Sequence, residues 1–276
     1  MNKNILYFFS FFFFFSCKST ELSKGAQNEV ESCQTLNFAF QNAEDLTYKL
    51  VYSVGAVSVP AGEVVFHCED IGGQYHITAK GRTYESYEQI FKVDDFYESF
   101  LDKKTLLPLT SIRTVHEGKY NLYDKVVFDH QKHSATSYRG DSAEKTNKEE
   151  FDTERCMHDL ISIIYFSRNL DFQHLTQGTY FPISIFMDKK AHPLQVFYKG
   201  TEAKVKVKSL GKFNTQRFAV QTISGRTFSE EAVIDIWVSD DENRIPLMIE
   251  SPLSVGSVKA ILKKYDGLAH ELSAKK

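Results

Sequence analysis

The sequence predicts a mainly β (α+β) protein in which two antiparallel β-meander halves form a curved or barrel-like sheet around one buried central helix. Three observations predict this class. From Leu46 onward, short segments rich in β-branched and aromatic residues alternate with turn residues. One segment, near residues 155–170, instead has the apolar spacing of a helix. The two halves also share sequence features at a nearly constant offset, which indicates a pseudo-repeat.

The first sixteen residues are typical of a signal peptide. Lys3 precedes an apolar run from Ile5 to Phe15. Its length of about eleven residues suits a signal-peptide core and is well below the roughly 20 residues that a membrane-spanning helix needs. The run ends at Ser16 and Cys17, which resembles a bacterial lipoprotein signal, in which the cysteine carries the lipid. We therefore expect an exported protein anchored through Cys17; the alternative is an ordinary signal peptide cleaved nearby, with Cys17 unmodified.

The residues that follow are predicted to connect this lipid to the folded domain. Residues 17–36 form the lipid-anchored tether, because they are polar, lack apolar periodicity and contain no aromatic residue. Residues 37–270 are then a single β-rich domain, with halves at about 37–138 and 178–268 joined by the helix. Such a protein is expected in the bacterial cell envelope, as a periplasm-facing or surface lipoprotein bound to a membrane.

The charge of the chain excludes a nucleic-acid-binding protein, whereas its cysteine content leaves the disulfide pairing open. The net charge of −3 and the scattered Lys and Arg residues exclude a nucleic-acid-binding protein. With Cys17 assigned to the anchor, Cys33, Cys68 and Cys156 remain. In an oxidising compartment three cysteines allow one disulfide and one free thiol, but the pairing does not follow from the sequence. Three unpaired thiols are an equal alternative.

The first half is predicted to be a meander of strands joined by tight turns. Turns are expected at residues 102–105 and 117–118. Pro108 should begin a strand, because proline cannot donate a hydrogen bond to a β-ladder. Residues 140–155 are so polar that we expect a loop there. The predicted strands are LTYKLVYSV, GEVVFHCE, QYHITAKG, FYESFLD, SIRTVHE and KVVFDHQ.

The helix is expected to begin at the end of this polar stretch. Asp152 or Thr153 can cap its first turn. A helix that is apolar over so much of its circumference is usually buried on more than one side, so we expect it inside or across the sheet. Its apolar positions are Met157, Leu160, Ile161, Ile163, Ile164, Tyr165 and Phe166.

The second half repeats the strand pattern of the first. Its predicted strands are YFPISIFMD, LQVFYKG, AKVKVKSLG, RFAVQTISG, AVIDIWVSD, LMIES and VKAILKKYD. Gly81–Tyr84 recurs as Gly225–Phe228, each time at the end of a predicted strand. A second set of positions matches at another constant offset: Asp102, Leu107–Leu109 and Gly118 match Asp240, Ile245–Leu247 and Gly256.

Several segments, taken together, are similar to one known family. They are Glu44 with Leu46 and Tyr48, Ala61–Glu63, Asp159–Arg168, Ile236–Asp241, Arg244–Leu247 and Gly256–Ala260. Through them the chain resembles, from about Glu44 to Leu262, the exported bacterial proteins gathered as domain of unknown function 3108. The resemblance implies a mostly β exported domain with no established activity, so it implies no catalytic residue.

The sequence gives only weak evidence for a catalytic or metal-binding site. His130 and His133 have a spacing that metal sites use, but zinc needs three or four ligands. Cys156 and His158 lie two residues apart, so on a helix they do not face each other. Residues 240–243 lack the ligand spacing of a calcium loop and fit a hairpin turn better. No nucleophile, phosphate-binding or dinucleotide motif occurs. We therefore predict no catalytic residue, no metal and no cofactor, and the protein is more consistent with a non-enzyme.

The aromatic and apolar content instead suggests a cavity. A curved sheet wrapped around a helix can leave an apolar space that takes a ligand. The leading hypothesis is therefore an envelope protein that binds a hydrophobic molecule or lipid. The alternative is an assembly or scaffold module that binds a protein partner through a sheet edge; an enzyme acting on envelope glycans is third. The candidate cavity residues are Tyr48, Phe66, Tyr84, Leu160, Ile164, Phe218 and Trp237.

Overall fold

The computed structural model describes residues 33, 35–89, 91–172, 174–208, 210–222, 233–253 and 255–276. The predicted signal peptide, Cys17 and Gly225–Phe228 lie outside these residues. The helices are α1 (Glu85–Glu88) and α2 (Leu160–Ser167). The strands are β1 (Glu44–Val54), β2 (Val57–Asp70), β3 (Gln74–Thr83), β4 (Asp94–Asp102), β5 (Pro108–Glu117), β6 (Tyr120–Asp129), β7 (Ser134–Ser142), β8 (Lys145–Asp152), β9 (Tyr180–Met187), β10 (Lys190–Val207), β11 (Gly211–Thr222), β12 (Val233–Ser239), β13 (Pro246–Pro252) and β14 (Ser257–Asp266).

All of these strands belong to one antiparallel sheet, which confirms the predicted fold class. The spatial order is β8-β7-β6-β5-β4-β3-β2-β1-β14-β13-β12-β11-β10-β9. The first meander, β1–β8, and the second, β9–β14, are therefore joined where β1 pairs with β14. The sheet is curved and not closed, because β8 and β9 each pair with only one strand of the described sheet.

The matched positions of the two halves lie at equivalent places in the sheet. Pro108 is the first residue of β5 and Pro246 is the first residue of β13, as expected for residues that cannot donate to a ladder. Gly118 and Gly256 each have a positive φ, of 59° and 80°, in the hairpin turn that follows. The β4–β5 and β12–β13 hairpins are thus the structural counterparts that the sequence match predicts.

The loop predicted at residues 140–155 is wrong, because most of this segment forms β-structure. β7 extends to Ser142 and β8 runs from Lys145 to Asp152. β8 lies at the edge of the sheet, and most of its side chains are exposed. Charged residues are common on such edges, where they prevent pairing with other chains. The first half therefore continues to Asp152, beyond the predicted limit near residue 138.

The helix is shorter than predicted and begins later. Its N-cap is Asp159, whose side chain accepts hydrogen bonds from the backbone N–H groups of Ile161 and Ser162. The Ser162 hydroxyl in turn accepts a bond from the Asp159 N–H, which completes a capping box. The predicted caps, Asp152 and Thr153, cannot act here because Asp152 ends β8. The prediction of one buried helix in the curve of the sheet is nevertheless confirmed, because α2 packs against β3, β4 and β9.

The N-terminal segment is fastened to the C-terminal end of α2. The side-chain oxygen of Asn169 accepts hydrogen bonds from the N–H groups of Phe38 and Ala39, at 2.8 and 3.1 Å. A disulfide joins Cys33 to Cys156, and Cys68 is a free, buried thiol. Of the alternatives that the sequence leaves open, the structure has the single disulfide, and it attaches residue 33 of the predicted tether to the domain.

No helix among the described residues has both the length and the apolar character needed to cross a membrane.

Candidate functional site

The two sides of α2 differ in burial although both are apolar. Ile161, Tyr165 and Phe166 are buried on one side. Leu160 and Ile163 are only partly buried. Ile164 is also partly buried, and positions three or four residues apart share a face of a helix. These three residues therefore form one aliphatic face that the described fold leaves partly open.

Partly buried residues of two strands, β2 and β12, pack against the same core clusters as this helix face. Val64 and Phe66 of β2 pack, together with Ile163 and Ile164, against the core cluster that contains Ile161. Ile234 and Ile236 of β12 pack, with Leu160 and Ile163, against the cluster that contains Phe218. The helix face thus spans the border between two core clusters. These seven partly buried residues are the candidate site, which we call the concave groove: Val64, Phe66, Leu160, Ile163, Ile164, Ile234 and Ile236.

Five of the seven predicted cavity residues lie in or next to the concave groove. Phe66, Leu160 and Ile164 belong to it. Phe218 is buried beneath it and pairs with Ile236 across the β11–β12 ladder. Tyr48 is buried, and its ring lies edge-on to Phe66 with the centroids 5.7 Å apart.

The hydroxyl of Tyr48 has a structural role. It donates a hydrogen bond of 2.8 Å to the carbonyl of Pro246. Burial raises the pKa of Tyr48 above its usual range, so the group stays a neutral donor. Its role is to hold β1 to the start of β13.

Trp237 and Tyr84 lie elsewhere. Successive side chains of a strand point to opposite faces, so Trp237 lies on the other face of β12 from Ile236. There its indole N–H donates to Glu202 at 3.0 Å, and the Arg217 guanidinium lies 4.9 Å from the ring centre. Tyr84 precedes α1 at the end of β3. The structure therefore separates these two residues from the groove.

Four groove residues were not predicted from the sequence: Val64, Ile163, Ile234 and Ile236. The alternation in VIDIWV of β12 could have indicated that Ile234 and Ile236 share a face. Nothing in the sequence indicates which face of a curved sheet meets the helix. The residues of β2 and β12 in the groove lie more than 150 positions apart, so only the tertiary fold unites them.

A buried ionic cluster connects the β9–β10 turn to the first half. The Arg113 guanidinium donates to Asp124 at 2.7 Å and to Asp188 at 2.8 Å. Arg139 donates to the same two carboxylates, at 3.0 and 2.7 Å. Burial opposes ionisation of Asp188, but the two guanidinium groups outweigh it and lower the pKa of that carboxyl. Side chains thereby join the two ends of the open sheet, which no ladder of the described strands connects.

A cavity of about 20 Å³ lies beside this cluster. Arg113, Asp124, Asp159, Leu160 and Phe186 are among the residues that line it. A space of this size is enough for about one water molecule. It lies at the N-terminus of α2, its lining is mostly apolar, and it shares Leu160 with the concave groove.

Three of the candidate catalytic and metal-binding residues, Cys156, His158 and His130, have structural roles. Cys156 is in the disulfide, and burial lowers the pKa of His158 to about 3, so His158 remains neutral. His130 lies 2.7 Å from the Pro108 carbonyl. Within the described part of the chain, no group of three or more His, Cys, Asp or Glu residues could hold a metal ion. Asp241 accepts hydrogen bonds from the N–H groups of residues 243 and 244, as expected of a turn.

The comparisons with known proteins gave two solved structures that cover most of this chain. A β-barrel-like protein of domain of unknown function DUF1849 from Brucella abortus has a TM-score of 0.59 at 11% identity, over 83% of this chain and 99% of that chain. A candidate lipoprotein from Parabacteroides distasonis has a TM-score of 0.34 at 9% identity, over 84% of this chain and 99% of that chain. The comparison with curated proteins gave no match.

Similarity to the Brucella abortus protein shows the fold alone, since the identity is low. The family assignment has separate support. The model of a family described as "protein of unknown function" matches residues 47–263, which include twelve of the fourteen described strands in full, parts of β1 and β14, and both helices. The chain therefore belongs to the DUF3108 family of proteins of unknown function.

Proposed function

We propose that this protein is an exported, lipid-anchored cell-envelope protein whose concave groove holds the acyl chain of an envelope lipid without chemical turnover. The observation that supports the proposal is the partly exposed face of α2. A helix that only filled the core would bury Leu160, Ile163 and Ile164 as fully as it buries Ile161 and Tyr165. An apolar face left open inside a curved sheet is typical of a ligand site.

The chemistry of the groove suits an acyl chain. Its seven residues are aliphatic apart from Phe66, and none carries a charge or a polar group. Such a surface gains free energy by burying methylene groups, at about 0.8 kcal/mol for each one removed from water. It offers no hydrogen bond that could select a polar ligand. The expected ligand is therefore a flexible hydrocarbon chain.

The scaffold alternative has less support from the sheet edges. β8 carries Lys145, Lys148, Glu149 and Glu150 along its length, and such charges discourage strand addition. At the other edge, His158 donates a backbone hydrogen bond to Ser184 and accepts one from Phe186. Part of the β9 edge is therefore occupied by the chain itself.

The test is mass spectrometry of the full chain, gently extracted from its native membrane. We expect covalent acyl mass on Cys17 and, separately, a non-covalent lipid that is lost on denaturation. A chain with neither would contradict both parts of the proposal, whereas acylation without a bound lipid would contradict only the groove.

A matched pair of variants tests the location of the ligand. Ile164→Trp should fill the groove and weaken binding of the fluorescent fatty acid cis-parinaric acid at least tenfold. Val127→Trp is the control, because Val127 is exposed on β6 of the first meander, outside the groove. Both variants should keep the thermal midpoint of the parent protein. Equal binding by the two variants would place the ligand elsewhere.

A further inference from the structure

Two neighbouring hairpin turns form an exposed aliphatic tip at one end of the sheet. The β1–β2 turn carries Val54, Val57 and Val59, which are 40%, 64% and 38% exposed. The β13–β14 turn carries Val255, which is 62% exposed. The Tyr52 hydroxyl donates to the carbonyl of Val255 at 3.0 Å, so the two turns are held together. We call these four valines the valine tip.

The valine tip lies in a part of the chain without charge. Residues 53–62 and 251–258 contain no Asp, Glu, Lys or Arg, although such residues make up 25% of the whole sequence. Water-exposed turns are ordinarily polar, and loss of charge together with exposed aliphatic residues marks a surface that contacts something apolar.

The turns that carry the valine tip are tightly built. Gly55 and Gly256 have positive φ values of 56° and 80°. A Cβ atom on Gly256 would lie 2.0 Å from the Ser53 carbonyl oxygen, so the close approach of the two hairpins requires glycine. The Ser53 and Ser58 hydroxyls are hydrogen-bonded at 2.8 Å across the β1–β2 hairpin. The valines are therefore presented in a fixed arrangement.

The size of the valine tip decides which partner it fits. Four valine side chains at these exposures offer on the order of 300 Å², well below the roughly 800 Å² that each partner of a stable protein–protein interface buries. A second copy of the chain or a stable protein partner would need far more surface. Shallow insertion into a lipid bilayer needs no such area, because it adds to an anchor that already holds the protein at the membrane.

The tether expected from the sequence is long enough for this arrangement. Cys33 is fixed to the domain, and fifteen residues, or sixteen residue-to-residue steps, lie between it and the anchor at Cys17. Extended, they span about 53 Å. β1, which runs from the end near the N-terminal segment to the valine tip, has 11 residues and a length of about 36 Å. An anchor at Cys17 can thus reach the same membrane surface that the tip contacts.

We infer that the valine tip inserts into the lipid bilayer and orients the anchored domain with its β1–β2 and β13–β14 turns against the membrane. The contact is apolar, so it does not require anionic lipid and resists salt. It rests on the membrane anchor of the proposed function and not on a ligand in the concave groove.

The test uses a new tryptophan as a depth probe in the full chain, reconstituted into phosphatidylcholine vesicles. The sequence has a single tryptophan, the buried Trp237, whose signal is subtracted with the parent protein. Val57→Trp should show blue-shifted emission that brominated phosphatidylcholine quenches at least twofold, unchanged in 1 M salt. Val255→Trp should behave in the same way, and Val127→Trp is the exposed control away from the tip.

Each other outcome overturns the inference. Absence of quenching at positions 57 and 255 would show that the tip stays out of the bilayer. Equal quenching at position 127 would show unspecific adsorption of the whole domain. A blue shift without quenching by brominated lipid would show that protein, such as a second copy, covers the tip. Mass spectrometry of the same sample checks that Cys17 carries its acyl chain. If it does, a lack of quenching reports on the valine tip and not on loss of the anchor.

Discussion

Arg168 is the residue that connects most parts of the fold. Its guanidinium is buried and makes a two-pronged ion pair with Glu44, at 2.6 and 2.7 Å. It also donates to the carbonyls of Ala39 and Asn243. One side chain at the end of α2 thereby holds the N-terminal segment, the start of β1 and the β12–β13 turn.

Replacing Arg168 alone should lower the free energy of unfolding much more than replacing Arg168 and Glu44 together. Arg168→Leu leaves the Glu44 carboxylate buried without a counter-charge, and such losses cost about 3–5 kcal/mol in the free energy of unfolding. Arg168→Leu combined with Glu44→Leu should recover a large part of this loss, because no buried charge remains. Urea unfolding of the two variants measures the difference. A double variant as unstable as the single one would contradict this account.

Asp95 is a buried carboxyl group that should make stability depend on pH. One oxygen accepts a hydrogen bond from the His116 N–H at 2.9 Å, and the other has no hydrogen-bond partner among the described residues. Burial raises the pKa of Asp95 to about 6. The folded protein therefore holds this proton more tightly than the unfolded chain does, so stability should fall as the pH rises from about 4 to 6 and level off above that range.

Asp95→Asn should remove this dependence. At neutral pH the variant avoids a cost of at most about 3 kcal/mol for the buried charge, whereas near pH 4 the gain should be small. Thermal midpoints at pH 4 and pH 7.5 measure both values. Asp94→Asn, at the exposed neighbouring position, is the control and should change both thermal midpoints far less, because its charge only adds to the effect of burial on Asp95. An equal gain at the two pH values would contradict the assignment.

At the scale of elements, secondary structure is predicted correctly from the sequence where a residue pattern is compatible with only one kind of element. The hairpins at residues 102–105 and 117–118 follow from turn chemistry, and α2 follows from its apolar spacing. The strand pair around β8 was missed because charge indicates exposure and not secondary structure. Its position at an edge, which makes its polarity compatible with a strand, depends on the order of all the strands.

The bounds of α2 show a related limit. Asp152, Thr153 and Asp159 are all acceptable caps by residue type. Only the position of β8, which ends at Asp152, leaves Asp159 as the residue that begins the helix. For the same reason the sequence indicated apolar cavity residues but did not distinguish Phe66 and Ile164, which line the concave groove, from Trp237, which lies on the opposite face of the sheet.

At the scale of the whole molecule, the disulfide joins regions that no local pattern relates. Cys33 and Cys156 are 123 residues apart in the sequence. One lies where the chain leaves the predicted tether, and the other lies between β8 and α2. The cysteine count allowed this pair, but its partners depend on how the first meander returns to the helix. The bond therefore ties the tether to the segment that positions the groove.

Loss of this disulfide should destabilise the protein and release its N-terminal segment. A cross-link that closes a loop of this length restricts the unfolded chain and stabilises the fold by roughly 4–5 kcal/mol in the chain-entropy treatment, which is an upper value. Cys33→Ser with Cys156→Ser should lower the thermal midpoint, and dithiothreitol should lower that of the parent protein to the same value without affecting the variant. In both cases proteolysis should begin near residues 33–36, because hydrogen bonds to Asn169 and the burial of Ala39 and Phe40 still hold the residues that follow. A variant with the midpoint and protease resistance of the parent protein would show that these hydrogen bonds suffice, and that the disulfide does not couple the tether to the domain.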